Sequence, residues 1–484
     1  MTEIIRVLAT PATGAYYATD LAALQDRPLP VSEQYAAEPV TGGFRYTREV
    51  AEAVSVGLLL EDTQPELRPR TSVAWGDCVA VAYAGHAGRD PIFRTADGLS
   101  AIHRQVAPLL EGREVTTFRE MAAQIDAIRQ EVRVRVPRQE EASARQGRAV
   151  GGDAGLSRRD LLTAPLRLLR PEGTEHERGE ARQRPPRRYE TRQRPLHTAV
   201  RYGVSQALLA AVASTRNLTM AEVIAHEWEL PEPGRSVPIH AQSGAERRQN
   251  ADKMIVRRVD SLPHALVEDI PTDLGQDGEE LVSYVRWLKG RIEELGGADY
   301  RPSIHLDLHG ALGRIYENNL GRILGYLYRL ESSVQPYTLR IESPMILESR
   351  AAQIEAMKTL REYVQFRNMA VQIVADEWAN TLDDIHAFAD AQAVDMIQIK
   401  MPDLGSISDT VEAVLACRRA GIDSFLGGSC AETDISARVA AHVALATQPT
   451  MVMARPGMGV DEAVSITQNE MTRTLVVIKA RGRG

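Results

Sequence analysis

SIHLDLHG, residues 303–310, is a short apolar run that ends on an acid, Asp307, and then turns at a glycine. Outward from it, an apolar run closed by an ionisable residue returns three times. YTLRIESP (337–344) ends on Glu342, AVQIVADEW (370–378) on Asp376, and MIQIKMPDLG (396–405) on Lys400. The four positions lie 35, 34 and 24 residues apart (342−307, 376−342, 400−376). That is about one β/α unit, roughly 30 residues if a barrel of ~250 residues is divided by eight.

Widening the window extends the pattern. Short runs VPIHA, MIVRRV, SIHLDL, YTLRIE, AVQIVA, MIQIK, SFLGG and TMVMA read as eight strands. Amphipathic patterns such as EELVSYVRWLKGRIEELG, SRAAQIEAMKTLREYV and SDTVEAVLACRRAG separate most of them. Strands alternating with helices predict an α/β fold, a (β/α)₈ TIM-like barrel over 236–455, with an open doubly wound sheet as the structural alternative. Residues 1–136 mix strand-like SVGLLLED and DCVAVAYAG with a helical stretch, TFREMAAQIDAIRQEVRVRV, and read as an N-terminal α+β capping domain. Residues 137–195 change composition to Arg, Gln and Pro with no lysine. They read as a flexible, solvated insertion, mostly loop with one short helix at RRDLLTAPLRLL, or else as a basic arm for an acidic partner. Residues 196–235 resume as helix and complete the cap, and 456–484 form a final helix that packs back on it.

Composition narrows the class of partner. The 484 residues are 44% hydrophobic and 25% charged, with a formal net charge of −8. Such a balance disfavours nucleic acid and anionic membranes as partners and suits a small-molecule ligand. No apolar run approaches the roughly 20 residues that span a bilayer, and no basic segment followed by an apolar one opens the chain. Cys78, Cys417 and Cys430 are far apart and form no CxxC pair, which fits free thiols in a cytoplasmic protein.

The strand ends carry the chemistry. Strands of a barrel converge at their C-terminal ends around one mouth. Three carboxylates aimed there repel one another unless a cation holds them, and oxygen ligands favour a hard ion such as Mg²⁺. Taken singly, each acid reads as a helix N-cap; three on consecutive strands, with a lysine on the next, read as a metal site. A divalent ion on a substrate carboxylate stabilises the charge that develops when the adjacent carbon loses a proton. Lys400 then reads as the general base, its pKa lowered by the cation and by partial burial. Pairing with an acid across the barrel is its purely structural reading, and an aldolase-type Schiff base leaves the acids unexplained.

An Asp, Glu, Asp and Lys on successive strands resemble the enolase superfamily. The strings HTAVRYG, AQSG, DKMI, LPHAL, RIESPM, VADEW, QIKMPDLG, GGSCAET and RPGMGVDEA resemble the methylaspartate ammonia-lyases. The likeness covers nearly the whole chain outside 137–195, with GDCVAVAYAG and GRDPIF in the first module. The resemblance implies reversible elimination of ammonia from 3-methylaspartate to mesaconate, through an aci-carboxylate stabilised by Mg²⁺. It also implies an activating monovalent cation such as K⁺ and a homodimer. Carried over by position, Asp307, Glu342 and Asp376 hold the metal and Lys400 is the base at C3. His264, in LPHAL beyond the second strand, faces the substrate from the other side. Gln242, Gln398, Ser429 and Cys430 bind the substrate's carboxylates or amine.

The chain departs from the family at Ser429 (usually Thr), Ala431 (Asn), Ala82 (Gln), Met453 (Leu), and at Ala245 and Glu246, where an acidic pair is usual. These lie in the pocket wall, so acceptance of other 3-substituted or N-substituted aspartates is expected. Alternatives are another enolase-type epimerase, racemase or cycloisomerase, and an inactive binding scaffold using the Arg-rich arm.

Overall fold

The computed structural model describes residues 2–27, 29–62, 70–135, 189–244, 246–267, 269–455 and 457–482. The short helix expected at RRDLLTAPLRLL and the altered position Ala245 lie outside them. The chain divides into a main unit, formed by the segments before Arg129 and after Pro195, and a small unit between them.

The N-terminal module is an antiparallel sheet of β1 (Thr2–Thr19), β2 (Arg48–Asp62), β3 (Arg70–Cys78) and β4 (Arg113–Glu114), in the order β3-β2-β1-β4. Val54, Val56, Leu58 and Leu60 alternate along β2 onto one buried face. Helix α1 (Phe118–Asp126) buries Phe118, Met121, Ala122 and Ile125, a helical stripe, and Thr117 caps it by accepting the Glu120 amide at 3.3 Å. The helical reading of 117–136 therefore holds only for its first half. From Arg129 the alternation of EVRVR takes over as a strand of period two. That strand, β5 (Arg129–Arg135), pairs antiparallel with β6 (Tyr189–Pro195) and makes the small unit, so the C-terminal end of the Arg-rich segment is strand where loop was expected.

Helix α2 (Thr198–Thr215) lies on the cap sheet. Two glycines allow this contact. A Cβ on Gly76 would come within 2.1 Å of the Gly203 carbonyl oxygen, and one on Gly203 within 2.4 Å of Cys78 Sγ. Gln206 seals the seam by donating to the Asp77 carbonyl at 3.0 Å and accepting the Asp77 amide at 3.3 Å. Helix α3 (Met220–Glu227) follows, opened by a capping box between Thr219 and Glu222.

Eight parallel strands close into a barrel: β7 (Ile239–His240), β8 (Ser261–Leu266), β9 (Ser303–Asp307), β10 (Leu339–Glu342), β11 (Val371–Ala375), β12 (Met396–Lys400), β13 (Asp423–Gly427) and β14 (Met451–Met453). Around it run α4 (Arg247–Val256), α5 (Glu279–Gly296), α6 (Leu320–Val334), α7 (Arg350–Phe366), α8 (Leu382–Asp390), α9 (Ile407–Ala420) and α10 (Asp434–Thr447). The last helix, α11 (Val460–Arg481), packs on α10 and α4, and Arg481 reaches Glu222 of α3 at 2.6 Å. Val374, Met396, Phe425, Met451 and Met453 form a separate buried cluster of strand side chains.

The barrel was legible, but its second strand was misplaced. MIVRRV supplies the last three residues of α4 and the turn after it, and the strand is SLPHAL. A short apolar run fits a buried helix end as well as a strand. Pro263 argues against a strand by removing one ladder donor. The consequence is functional, because His264 lies within the second strand and not beyond it.

Candidate active site

The register of the barrel places the acids. Asp307 and Glu342 are cross-strand partners at the ends of β9 and β10, while Lys400 ends β12 opposite Gly427. Asp376 follows the last residue of β11. All three carboxylates are buried, and the Lys400 side chain keeps only 14% of its exposure. Lys400 Nζ lies 2.5 Å from Asp376 Oδ2. Gln398, two residues earlier on the same strand face, donates its amide to Glu342. Gly427 leaves room for that amide, since a Cβ there would stand 2.4 Å from Gln398 Oε1.

The electrostatics follow from this crowding. Burial drives the Asp307 carboxyl well above its usual range, helped by the charges of Glu377 and Asp376. Glu342 is raised in the same way, by burial and then by Asp307 and Asp376. Asp376 is pushed up to about 6 by burial and by Glu377, against the pull of Lys400 and Arg89. Burial pulls the Lys400 ammonium down, but Asp376 outweighs it and the net shift is upward. The lowered lysine expected from sequence is therefore not what these protein groups alone produce. Asp376, its nearest acid, favours the charged form.

His264 sits beside the acids, with Nε2 3.8 Å from Asp307 Oδ2 and Nδ1 3.9 Å from Glu342 Oε2. A nitrogen or oxygen from each of these three residues lies within 4.8 Å of the others, the spacing of a candidate metal group. Its backbone is left-handed, φ 45°, at a register shift between Pro263 and Ala265. A bulge of this kind re-aims a side chain. Left-handed non-glycine residues recur just past other strands, at His309, Ser343, Trp378 and Cys430. Each such residue costs on the order of 1 kcal/mol or more, and such strain concentrates at functional sites. Cys430 Sγ lies 3.8 Å from Gln242 Oε1, so these two candidates meet. Ser429 accepts the Ala431 amide on its hydroxyl at 3.1 Å, and its carbonyl accepts the Ala82 amide at 3.0 Å. The altered cap position Ala82 thus touches the altered barrel position Ser429.

Sequence reasoning missed several groups here. Glu377, beside Asp376, is fully buried, accepts from the Ser343 hydroxyl and faces His309 at 3.6 Å. Burial alone would raise it, but His309, Lys400 and Arg89 together hold it below the usual carboxylate range. Arg89 comes from the cap. Its Nε donates to Asp403 at 2.8 Å and its Nη2 to Asp376 at 3.5 Å, both pairs buried. Asn380 holds the same loop through the Ala87 carbonyl at 2.6 Å. GRDPIF had been noted as a string, yet nothing in it reveals a partner 287 residues away. His240 and His305 also line the interior. His305 was readable in principle, being two positions before Asp307 on one strand face.

Two family models match the chain. One, described as the methylaspartate ammonia-lyase C-terminus, matches residues 233–480. The other, the methylaspartate ammonia-lyase N-terminus, matches 2–141 and 174–229. The chain belongs to the methylaspartate ammonia-lyase family. Family likeness also extends further into the Arg-rich segment than the motifs indicated, to residue 141 on one side and from 174 on the other.

Among methylaspartate ammonia-lyases, enzyme 2 of Carboxydothermus hydrogenoformans is 40% identical over 480 residues, covering 99% of each chain. A crystal structure of β-methylaspartase from Clostridium tetanomorphum, a Mg complex, is 36% identical with a TM-score of 0.78, covering 99% of this chain and 100% of the other. The structure of the Citrobacter amalonaticus methylaspartate ammonia-lyase containing (2S,3S)-3-methylaspartic acid is 35% identical, with a TM-score of 0.81 and coverage of 99% and 100%. A muconate lactonizing enzyme and an L-Ala-D/L-Glu epimerase, each 14% identical, share the fold with TM-scores of 0.51 and 0.53. The capped barrel is thus the enolase-type architecture, and the family is one of carbon–nitrogen lyases. Among the described residues no helix is long and apolar enough to cross a membrane.

Proposed function

We propose that this chain catalyses the reversible, Mg²⁺-dependent elimination of ammonia from 3-methylaspartate to give mesaconate, with Lys400 as the base at C3. The observation that carries the reading is the placement of Lys400 Nζ 2.5 Å from Asp376, at the strand ends that also bear Asp307 and Glu342. Family membership supports the substrate, and a related structure is described as a Mg complex.

The residues fit a hard divalent cation. Asp307 and Glu342 are adjacent buried carboxylates whose pKa values rise because burial and the neighbouring acidic charges disfavour ionisation. A cation held by them and by Asp376 relieves that repulsion. When bound, it supplies positive charge against the substrate carboxylate and against Lys400. The protein groups do the rest. Neutral Lys400 takes the C3 proton, the C–H electron pair forms the C2–C3 double bond, and the C2–N bond breaks to release ammonia. His264, across the mouth, bears on the opposite face as the second acid/base. Gln398 and Gln242 present amides, and Ser429 and Cys430 the wall for the distal carboxylate. Arg89 and Asn380 hold the cap loop over the mouth and exclude water.

We also read the protein as a cytoplasmic homodimer activated by a monovalent cation such as K⁺. Cys78 and Cys417 are free buried thiols, as a reducing compartment allows. Exposed Tyr328, Tyr363 and Phe366 on α6 and α7 are apolar side chains that a second copy could cover. The experiment is an absorbance assay for the unsaturated dicarboxylate with parallel ammonia measurement, with and without Mg²⁺. Proton exchange at C3 with no ammonia release in any condition would replace this reading with an epimerase.

A further inference from the structure

Beneath the carboxylates, four consecutive strands bring nitrogen and oxygen donors close to one another. His240 comes from β7, His264 from β8, His305 from β9 and Glu342 from β10. His240 Nε2 lies 2.9 Å from His264 Nδ1, and His305 Nε2 lies 2.7 Å from Glu342 Oε2. The same Glu342 oxygen is 3.9 Å from His264 Nδ1. One nitrogen from each imidazole falls within 4.8 Å of the other two. The ring centroids stand 4.6 to 5.1 Å apart, and Phe425 closes against all three with its ring edge-on. Every ring is buried, at 0, 3 and 0% exposure for His240, His264 and His305.

This arrangement is costly as a purely structural one. His305 Nδ1 is buried with no hydrogen-bond partner, and an unpaired buried polar atom costs free energy. Glu342, hydrogen-bonded to His305 at 2.7 Å, brings a carboxylate to the same group.

We propose that His240, His264, His305 and Glu342 form a second cation site, selective for a borderline divalent ion such as Zn²⁺ or Co²⁺. Imidazole nitrogens suit this class, whereas Mg²⁺ favours oxygen. Bonds of about 2.0–2.1 Å in tetrahedral geometry put ligand nitrogens roughly 3.3 Å apart. Binding requires the His240–His264 and His305–Glu342 contacts to open slightly and the His264–Glu342 contact to close. Occupancy takes the lone pair of His264 and shares Glu342 with the oxygen site above. The ion therefore inhibits whatever chemistry His264 serves, and the assignment stands apart from the choice of substrate.

The test titrates Co²⁺ into the full chain held in excess Mg²⁺. The expected result is one Co²⁺ per chain, with the visible absorption of a four-coordinate nitrogen-ligated ion, lost on adding one equivalent of Zn²⁺. Zn²⁺ alone should also raise the melting temperature of the Mg²⁺-saturated protein by mass action. His240→Leu, and independently His305→Gln, should weaken Co²⁺ binding at least tenfold, with circular dichroism checking the fold of each. The proposal is overturned if excess Mg²⁺ displaces the Co²⁺, if no absorption develops, or if either folded variant binds Co²⁺ like the parent chain.

Discussion

Lys400 Nζ and Asp376 Oδ2 stand 2.5 Å apart, the ammonium at the end of one barrel strand and the carboxylate just past its neighbour. In the proposed mechanism the pair ties the base to the metal set, because Asp376 is the partner of one and a proposed member of the other. Asp376→Asn should therefore weaken Mg²⁺ binding and lower turnover at least 100-fold, since even outer-shell partners of metal ligands are worth 10–100-fold. Calorimetric Mg²⁺ titration beside steady-state rates measures both. Unchanged Mg²⁺ affinity would remove Asp376 from the metal set.

Arg89 bridges the cap to the barrel through Asp403 and Asp376, all nearly buried. Removing one partner of such a pair strands the other charge, at a cost of about 3–5 kcal/mol. Arg89→Met should lose roughly that much in urea unfolding, and adding Asp403→Leu should restore part of it. If the two losses simply add, the ion pair contributes no coupling and the brace is not electrostatic.

The join between α10 and α11 should make stability depend on acid pH. Glu470 accepts from His442 at 3.2 Å, Arg438 at 2.8 Å and Arg473 at 2.9 Å. The His442 bond, followed by the two arginines against an opposing burial effect, lowers its pKa from 4.5 to about 2. The folded form thus binds the proton less readily than the unfolded one. Its contribution, at most about 3 kcal/mol, is complete above the unfolded value and fades as pH falls toward the folded one. Glu470→Gln should flatten the melting curve over pH 2 to 4.5 and leave the slope elsewhere unchanged.

The cap–helix seam admits no added atom. A Cβ on Gly203 would lie 2.4 Å from Cys78 Sγ and 2.5 Å from its backbone nitrogen. Gly203→Ala should destabilise by about 1–3 kcal/mol, the usual cost of overpacking. A melting temperature equal to that of the parent chain would show that α2 moves away freely.

Ala82 and Ser429 touch across the cap–barrel boundary, the Ala82 amide donating to the Ser429 carbonyl at 3.0 Å. On the proposed function, a small side chain at Ala82 leaves room for the substrate's amine or 3-substituent. Ala82→Gln should lower kcat/KM for N-substituted aspartates about tenfold or more while sparing the ammonia reaction, a difference of ~1.4 kcal/mol. Equal effects on both substrates would place Ala82 away from the pocket.

Much of this site was written plainly in the chain. Strand ends repeat at one β/α unit, so Asp307, Glu342, Asp376 and Lys400 announced both the barrel and its mouth. Other parts depended on contacts that no local pattern encodes. The β8 strand hid behind Pro263, and the apolar end of α4 imitated it. The helix expected through residue 136 stopped at Asp126, because the alternating EVRVR found a partner strand at 189–195. Arg89 meets Asp376 only when the cap closes on the barrel. The three buried histidines come from three strands, and each alone reads as a core residue.

The most direct measurement of the central claim is turnover of 3-methylaspartate by Lys400→Ala, read as mesaconate absorbance and ammonia together. Loss of the base should reduce kcat by about 10³-fold, within the 10²–10⁴ that positioned acid–base groups supply, while Mg²⁺ still binds. Turnover equal to that of the parent chain, with Mg²⁺ bound, would contradict the assignment of Lys400 as the base.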